Sequence, residues 1–162
     1  MAYAWDEDEF PPPPTRAEVE AHIADWRQRV QDLFDRIEAW TADRPDLTID
    51  RGDLPFTERR LQTLGITGPV LLPEMVIERR MQVVAAGGRT PLALGRTASR
   101  LRTDGMWVTP TRGQLRLFTP VPCQHIIADV GKVGLPEWRL VRQGAIASEP
   151  LTAEAFVSLL EY

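Results

Sequence analysis

Cysteine occurs once in this 162-residue chain, lysine once, histidine twice and serine three times, and each scarcity closes a route to chemistry. A single Cys123 leaves no intramolecular disulfide. With Lys132 the only lysine, the glycines at 87, 88 and 95 have no lysine after them, so a phosphate-cradling G-x-x-x-x-G-K-[ST] loop is excluded. None of Ser99, Ser148 and Ser158 sits in a G-x-S-x-G elbow. Cys123, His22 and His125 are too few for a zinc centre, which takes three or four such ligands with a carboxylate as substitute. No metal and no cofactor is expected. No run approaches the ~20 apolar residues that cross a bilayer, and the N-terminus lacks the positive start and apolar stretch of a signal peptide. These absences predict a cytoplasmic protein with no membrane partner.

The pair that remains to be weighed as chemistry is Cys123 and His125. On a strand they share a face with Cα atoms ~6.5 Å apart, near enough for a nucleophile and its base. A third group would have to come from Asp129 or Asp104. A small buried thiol beside a hydrogen-bonded or surface histidine is the plainer reading, so no catalytic residue is assigned and the chain is read as a non-enzyme. His22 falls on the polar side of a helix, where a solvated ring is expected.

What is present is organised around residues 15–44. Val19, Ile23, Trp26, Val30, Leu33, Ile37 and Trp40 recur at spacings of four and three, an apolar seam on one helix, and Phe34 widens it into a stripe. Thr15 with Glu18 three residues on forms a capping box, and Pro45 disfavours helix at Arg44. About 29 residues give roughly 43 Å of helix, longer than a compact body of ~115 residues is wide. The seam is therefore expected to overhang and to dock a protein partner or a second copy of the chain; the alternative is that it wraps its own body. Asp25 with Arg29 and Asp32 with Arg36 are read as solvent-face pairs.

Charge divides along the chain. Residues 1–50 hold 5 Arg against 13 acids, residues 51–142 hold 13 Arg and Lys132 against 7 acids, and the last twenty hold three Glu. An acidic front and a basic body either lie against each other or attract different partners. Ahead of the helix, Tyr3, Trp5 and Phe10 surround Asp6–Glu9, and Pro11 to Pro14 make a stiff spacer. Acids interleaved with aromatics suit a short docking peptide, with Trp5 and Phe10 as its anchors.

Beyond Pro45 the period changes from 3.6 to 2, with turn residues about every ten positions. Short strands are expected at Leu47–Asp50, Val70–Leu72, Met75–Val83, Pro91–Leu94, Gln114–Thr119, Gln124–Val130 and Glu137–Gln143, and Thr152 caps a last helix carrying Phe156, Leu159 and Leu160. Pro69 and Pro73 mark Val70–Leu72 as an edge. Asp104-Gly105 between alternating runs predicts a two-residue type I′ hairpin. That turn sets Arg102 opposite Trp107 and Leu101 opposite Val108, with Leu101, Thr103, Met106 and Val108 toward the core. Arg100, Arg102 and Trp107 then form an outward patch able to hold phosphate or stack a base.

The fold expected is α+β: a small antiparallel β-sandwich or open barrel of six to eight short strands, with a long N-terminal amphipathic helix and a short C-terminal one. Residues 1–14 form the tail, 15–44 the helix and 45–162 the body. The function expected is a protein-interaction adaptor or accessory subunit of a bacterial-type assembly, docking through seam and tail. The alternative is a nucleic-acid or anionic-ligand module using Arg100, Arg102 and Trp107.

Overall fold

The computed structural model describes residues 15–63, 65–66, 68–84, 91–106, 113–131 and 136–161. Helix α1 (Arg16–Thr41) starts on the capping box: the Glu18 amide donates to Thr15 Oγ1 and the Thr15 amide to Glu18 Oε2, each at 3.2 Å. Strands β1 (Leu47–Phe56), β2 (Val70–Val84), β3 (Pro91–Gly105), β4 (Gly113–Phe118), β5 (Gln124–Asp129), β6 (Trp138–Val141) and β7 (Glu149–Pro150) follow, with the short α2 (Arg59–Thr63) after β1 and α3 (Ala153–Leu160) last. Among the described residues, these seven strands form one antiparallel sheet in the order β1 to β7, so strands that are neighbours in space are neighbours in sequence.

The class is α+β with an open sheet rather than a sandwich, because α1 takes the place a second sheet would occupy. Val19, Ile23, Trp26, Val30, Leu33, Phe34 and Ile37 are buried with Met75 and Ile77 of β2, Leu101 of β3, Leu115 and Leu117 of β4, Ile127 of β5, and Trp138 and Leu140 of β6 in one core. At roughly 1.5–3 kcal/mol per buried large side chain, the seven helix residues supply on the order of 10–20 kcal/mol, an upper figure for a compact denatured chain. The helix extends for about 39 Å at ~1.5 Å per residue, and its seven buried seam residues pack with side chains of β2 to β6. Two strands run to 15 residues each, where the sequence suggested four short ones.

That lengthening has a local reason at Pro73. Val70 to Pro73 pair with β1 alone, since the β2–β3 ladder begins at Glu74↔Arg102. Among the described residues, one side of β2 is thus an unpaired edge at Pro73, the position in a sheet where a proline is tolerated, and β2 runs through it. The C-terminal end of the helix is tied down by charge and packing: Arg44 bonds Asp46 and Glu161 at 2.9 and 2.8 Å, and Trp40 packs on Phe156 with ring centroids 6.1 Å apart.

Trp26 is the pivot of the core. Its indole N–H donates to Thr103 Oγ1 at 3.0 Å, and its ring lies 5.7 Å from that of Trp138. Gly113 opens β4 directly beneath it, where an added Cβ would come within 2.7 Å of the Trp26 ring. The absence of a side chain at 113 is thus what lets helix and sheet approach. Gly113→Ala is expected to cost about 1–3 kcal/mol through forced repacking, read as a lower urea midpoint at unchanged slope. An unaltered midpoint would show that the indole has room to move.

Candidate functional site

Register divides the sheet into two faces. Met75, Ile77, Ser99, Leu101, Thr103, Leu115 and Leu117 are buried toward α1. The alternating positions Glu74, Glu78, Arg80, Arg96, Arg100, Arg102, Arg116 and Phe118 lie on the other side, which carries no helix among the described residues. At one end of that outer face, Leu54 and Phe56 of β1 and Arg102, Asp104, Arg116 and Phe118 line a cleft of about 250 Å³.

Its geometry is fixed by cross-strand pairs. Arg102 stands opposite Arg116, two like charges that would repel if left alone. Each is given its own partner. Arg116 grips Asp104 with Nε to Oδ1 at 3.0 Å and Nη2 to Oδ2 at 3.1 Å, a two-point contact that fixes the guanidinium plane. Its remaining nitrogen reaches Gln124 at 2.9 Å. Arg102 lies over the Phe118 ring, 4.7 Å from its centroid, a cation–π contact worth about 0.5–1 kcal/mol at an exposed site. The Arg116 hydrogen bonds hold the Asp104 carboxyl below its usual range; burial opposes this, and Gln114, donating at 2.6 Å, adds to it. Among the described residues Arg102 makes no ion pair of its own, sharing only the field of Asp104, and it lies on an aromatic platform beside apolar walls. Such a surface takes a carboxylate and an apolar group together.

The residues singled out in the sequence are placed as follows. Arg100 and Arg102 lie on the outer face, Arg100 with Glu74 at 3.5 Å. Trp107, Trp5 and Phe10 fall outside the described residues, as does Val108. The two-residue hairpin is corrected. Arg102 faces Arg116 and Leu101 faces Leu117, with a register shift between Thr103 and Gly105. A type I′ turn needs positive φ at both central residues, and the only positive-φ positions among the described residues are Gly65, Gly68 and Gly144. Asp104 satisfies its carboxylate across the sheet instead, and Gly105 stays in β3. Leu101, Thr103 and Met106 do face the core.

The seam is corrected as a free docking face. Val19, Ile23, Trp26, Val30, Leu33, Phe34 and Ile37 are covered by the chain's own sheet, and Trp40 is half-buried beside α3. The physical reason is that five neighbouring strands, β2 to β6, join into one sheet whose apolar inner face lies under the stripe. Arg29 is not on the solvent face either. It is 4% exposed and bonds Asp129 at 2.5 Å and Asp25 at 2.8 Å. Its burial is outweighed by these two carboxylates, which raise its pKa above the ordinary guanidinium value.

Asp129 and Asp104 are therefore both committed, and neither completes a group with Cys123 and His125. Cys123 precedes β5 in a turn, and His125 Nδ1 accepts from the Gln143 amide at 3.0 Å. Burial and nearby Arg142 push the His125 pKa down, which keeps the ring neutral and able to accept. His22 is likewise engaged, donating from Nε2 to the Met106 carbonyl at 2.7 Å. Among the described residues, no three His, Cys, Asp or Glu side chains gather as metal ligands, and no helix is long and apolar enough to cross a membrane. Arg116 and Phe118 were missed in the sequence, although Gln114, Arg116 and Phe118 alternate with buried Leu115 and Leu117, a period-2 signal that marks them as outward.

Compared with known proteins, the chain matches no protein family, no curated protein and no solved structure.

Proposed function

We propose that this protein is a non-catalytic interaction subunit, an adaptor or accessory part of a bacterial-type cytoplasmic assembly, that holds an acidic, aromatic-bearing protein segment in the outer-face cleft. The observation that carries this reading is the cleft's composition: Arg102, which makes no ion pair with a described residue, lies over Phe118 in a cleft that Leu54 and Phe56 also line. A carboxylate meets the guanidinium while an aromatic ring meets the apolar surface, so charge gives steering and contact gives affinity.

The chain's own residues 1–14 have this chemistry, with four acids at Asp6–Glu9 beside Trp5 and Phe10. Extended, fourteen residues reach up to roughly 46–50 Å from Thr15, enough to reach the cleft of a neighbouring copy. Homo-oligomerisation and capture of another protein are two uses of one site.

The test is a photo-crosslinking residue placed at Phe118 in the full-length protein, irradiated in cells. Crosslinks to acidic, aromatic-containing peptides, from a partner or from residues 1–14, are expected, and Arg102→Glu should remove them. Crosslinking that persists in Arg102→Glu, or its complete absence in the parent protein, would overturn the reading.

A further inference from the structure

β2 and β3 outrun their neighbours. β1 accompanies β2 only as far as Leu47↔Arg79, and β4 accompanies β3 only from Phe118↔Arg100, yet β2 and β3 stay paired out to Val84↔Pro91. From Arg80↔Arg96 outward they form a two-stranded antiparallel ribbon with no third strand among the described residues. Five residues of β2 at ~3.3 Å each carry it about 17 Å beyond the sheet. The root is fixed, since the Arg80 amide donates to the Asp46 carbonyl at 2.9 Å and Arg79 reaches the Leu160 carbonyl at 3.2 Å.

The charge of this stretch is one-sided. Between Arg79 and Arg102 the sequence has six arginines and no acid. On the outer face Arg80 and Arg96 stand directly opposite each other, both exposed, and neither makes an ion pair with a described residue. Arg100 lies four residues further along the same face of β3, paired with Glu74; Glu78 stands opposite Ala98, and Asp46, beside Arg80, is paired with Arg44. Like charges directly across a ladder are destabilising. Elsewhere on this face the opposed pair, Arg102 and Arg116, is relieved by Asp104 and Phe118, but the 80/96 pair has no such relief among the described residues.

We propose that the β2–β3 ribbon is a nucleic-acid-binding arm, with Arg80 and Arg96 gripping backbone phosphates. A polyanion is the partner that turns the opposed guanidiniums from a cost into a contact. The shape agrees: the major groove of a duplex is about 12 Å wide and admits a two-stranded ribbon. Guanidinium forks bind phosphate oxygens in pairs. Asp46, the acid of the first fifty residues that lies at the root of the arm, does not neutralise Arg80, because its carboxylate is held by Arg44 at 2.9 and 3.0 Å. The arm is separate from the cleft and does not depend on what fills it.

The experiment is fluorescence anisotropy of the full-length protein with a labelled DNA duplex of about two helical turns, repeated with an RNA duplex and across salt from about 50 to 200 mM. Saturable binding to at least one duplex is expected, weakening with salt. Arg80→Ala with Arg96→Ala should weaken it and, by removing two phosphate contacts, make affinity about 12-fold less salt-sensitive over that range. Arg139→Ala, on β6, should change nothing. Melting curves of all variants should overlay the parent's, which separates lost contact from lost fold. No saturable binding at low salt would overturn the proposal, as would a double variant with the parent's salt slope. Competition by a polyglutamate peptide as effective as that by unlabelled duplex would also overturn it and point to an acidic protein instead.

Discussion

Leu33→Asp is expected to leave no cooperatively folded domain at room temperature. Leu33 is 1% exposed in the middle of the α1 stripe, within the core shared by helix and sheet. The change forfeits about 1.5–3 kcal/mol of apolar burial. It also forces a carboxyl group into a site without an assigned polar partner, which costs several kcal/mol more whether the group ionises or takes up a proton. The sum rivals the ~5–15 kcal/mol that holds an average domain together. On a seam that docked a partner, this substitution would break an assembly before it unfolded the body; with the seam inside the chain, the order reverses. Circular dichroism and limited proteolysis decide it. A cooperative melt within a few degrees of the parent's would mean that α1 does not pack on the sheet in solution.

Asp129→Ala should be nearly as damaging for a different reason. The Asp129 carboxylate is 0% exposed and fully engaged: Oδ2 accepts from Arg29, and Oδ1 accepts from the amides of Gly131 and Glu137 at 2.8 and 3.0 Å. Truncation leaves a buried guanidinium with Asp25 as its remaining acidic partner and strands two amides. Breaking a buried ion pair from one side costs about 3–5 kcal/mol. For a chain of this size that is a fall in Tm of roughly 6–20 °C. Arg29→Met combined with Asp129→Leu removes both charges and should recover a good part of the loss, because the penalty lies in the unpaired ion. A single-variant shift under about 2 °C would show that water reaches the site.

The elements of the fold were largely legible, and the layer arrangement was not. Thr15 and Glu18 announce the start of α1, and Leu115, Leu117, Ile127, Trp138 and Leu140 announce core positions, because capping and period-2 burial are local rules. Whether α1 faces a second chain or its own sheet depends on whether β2 to β6 join into one apolar face, a long-range pairing that no local pattern reports, while Pro73 and Gly95 hid the full length of β2 and β3. Asp104-Gly105 misled for the same reason. Its turn propensity is local, while Arg116 and Gln114, which hold Asp104 in the sheet, arrive ten or twelve residues later. Arg29 was legible as the i,i+4 partner of Asp25, but its second acid lies 100 residues away, beyond any window of pattern.

That 100-residue separation also sets a timetable for the nascent chain. The sheet is a meander, so each strand can add to the one before it as it leaves the ribosome. Its inner face and the α1 stripe are complementary only once β4 to β6 exist, since Asp129 and Trp138 are among the last core residues made. At ~5–20 residues per second, Arg29 waits roughly 5–20 s for Asp129. Throughout that interval the amphipathic helix is the most adhesive surface on the emerging polypeptide, and chaperone capture of the growing chain should centre on it.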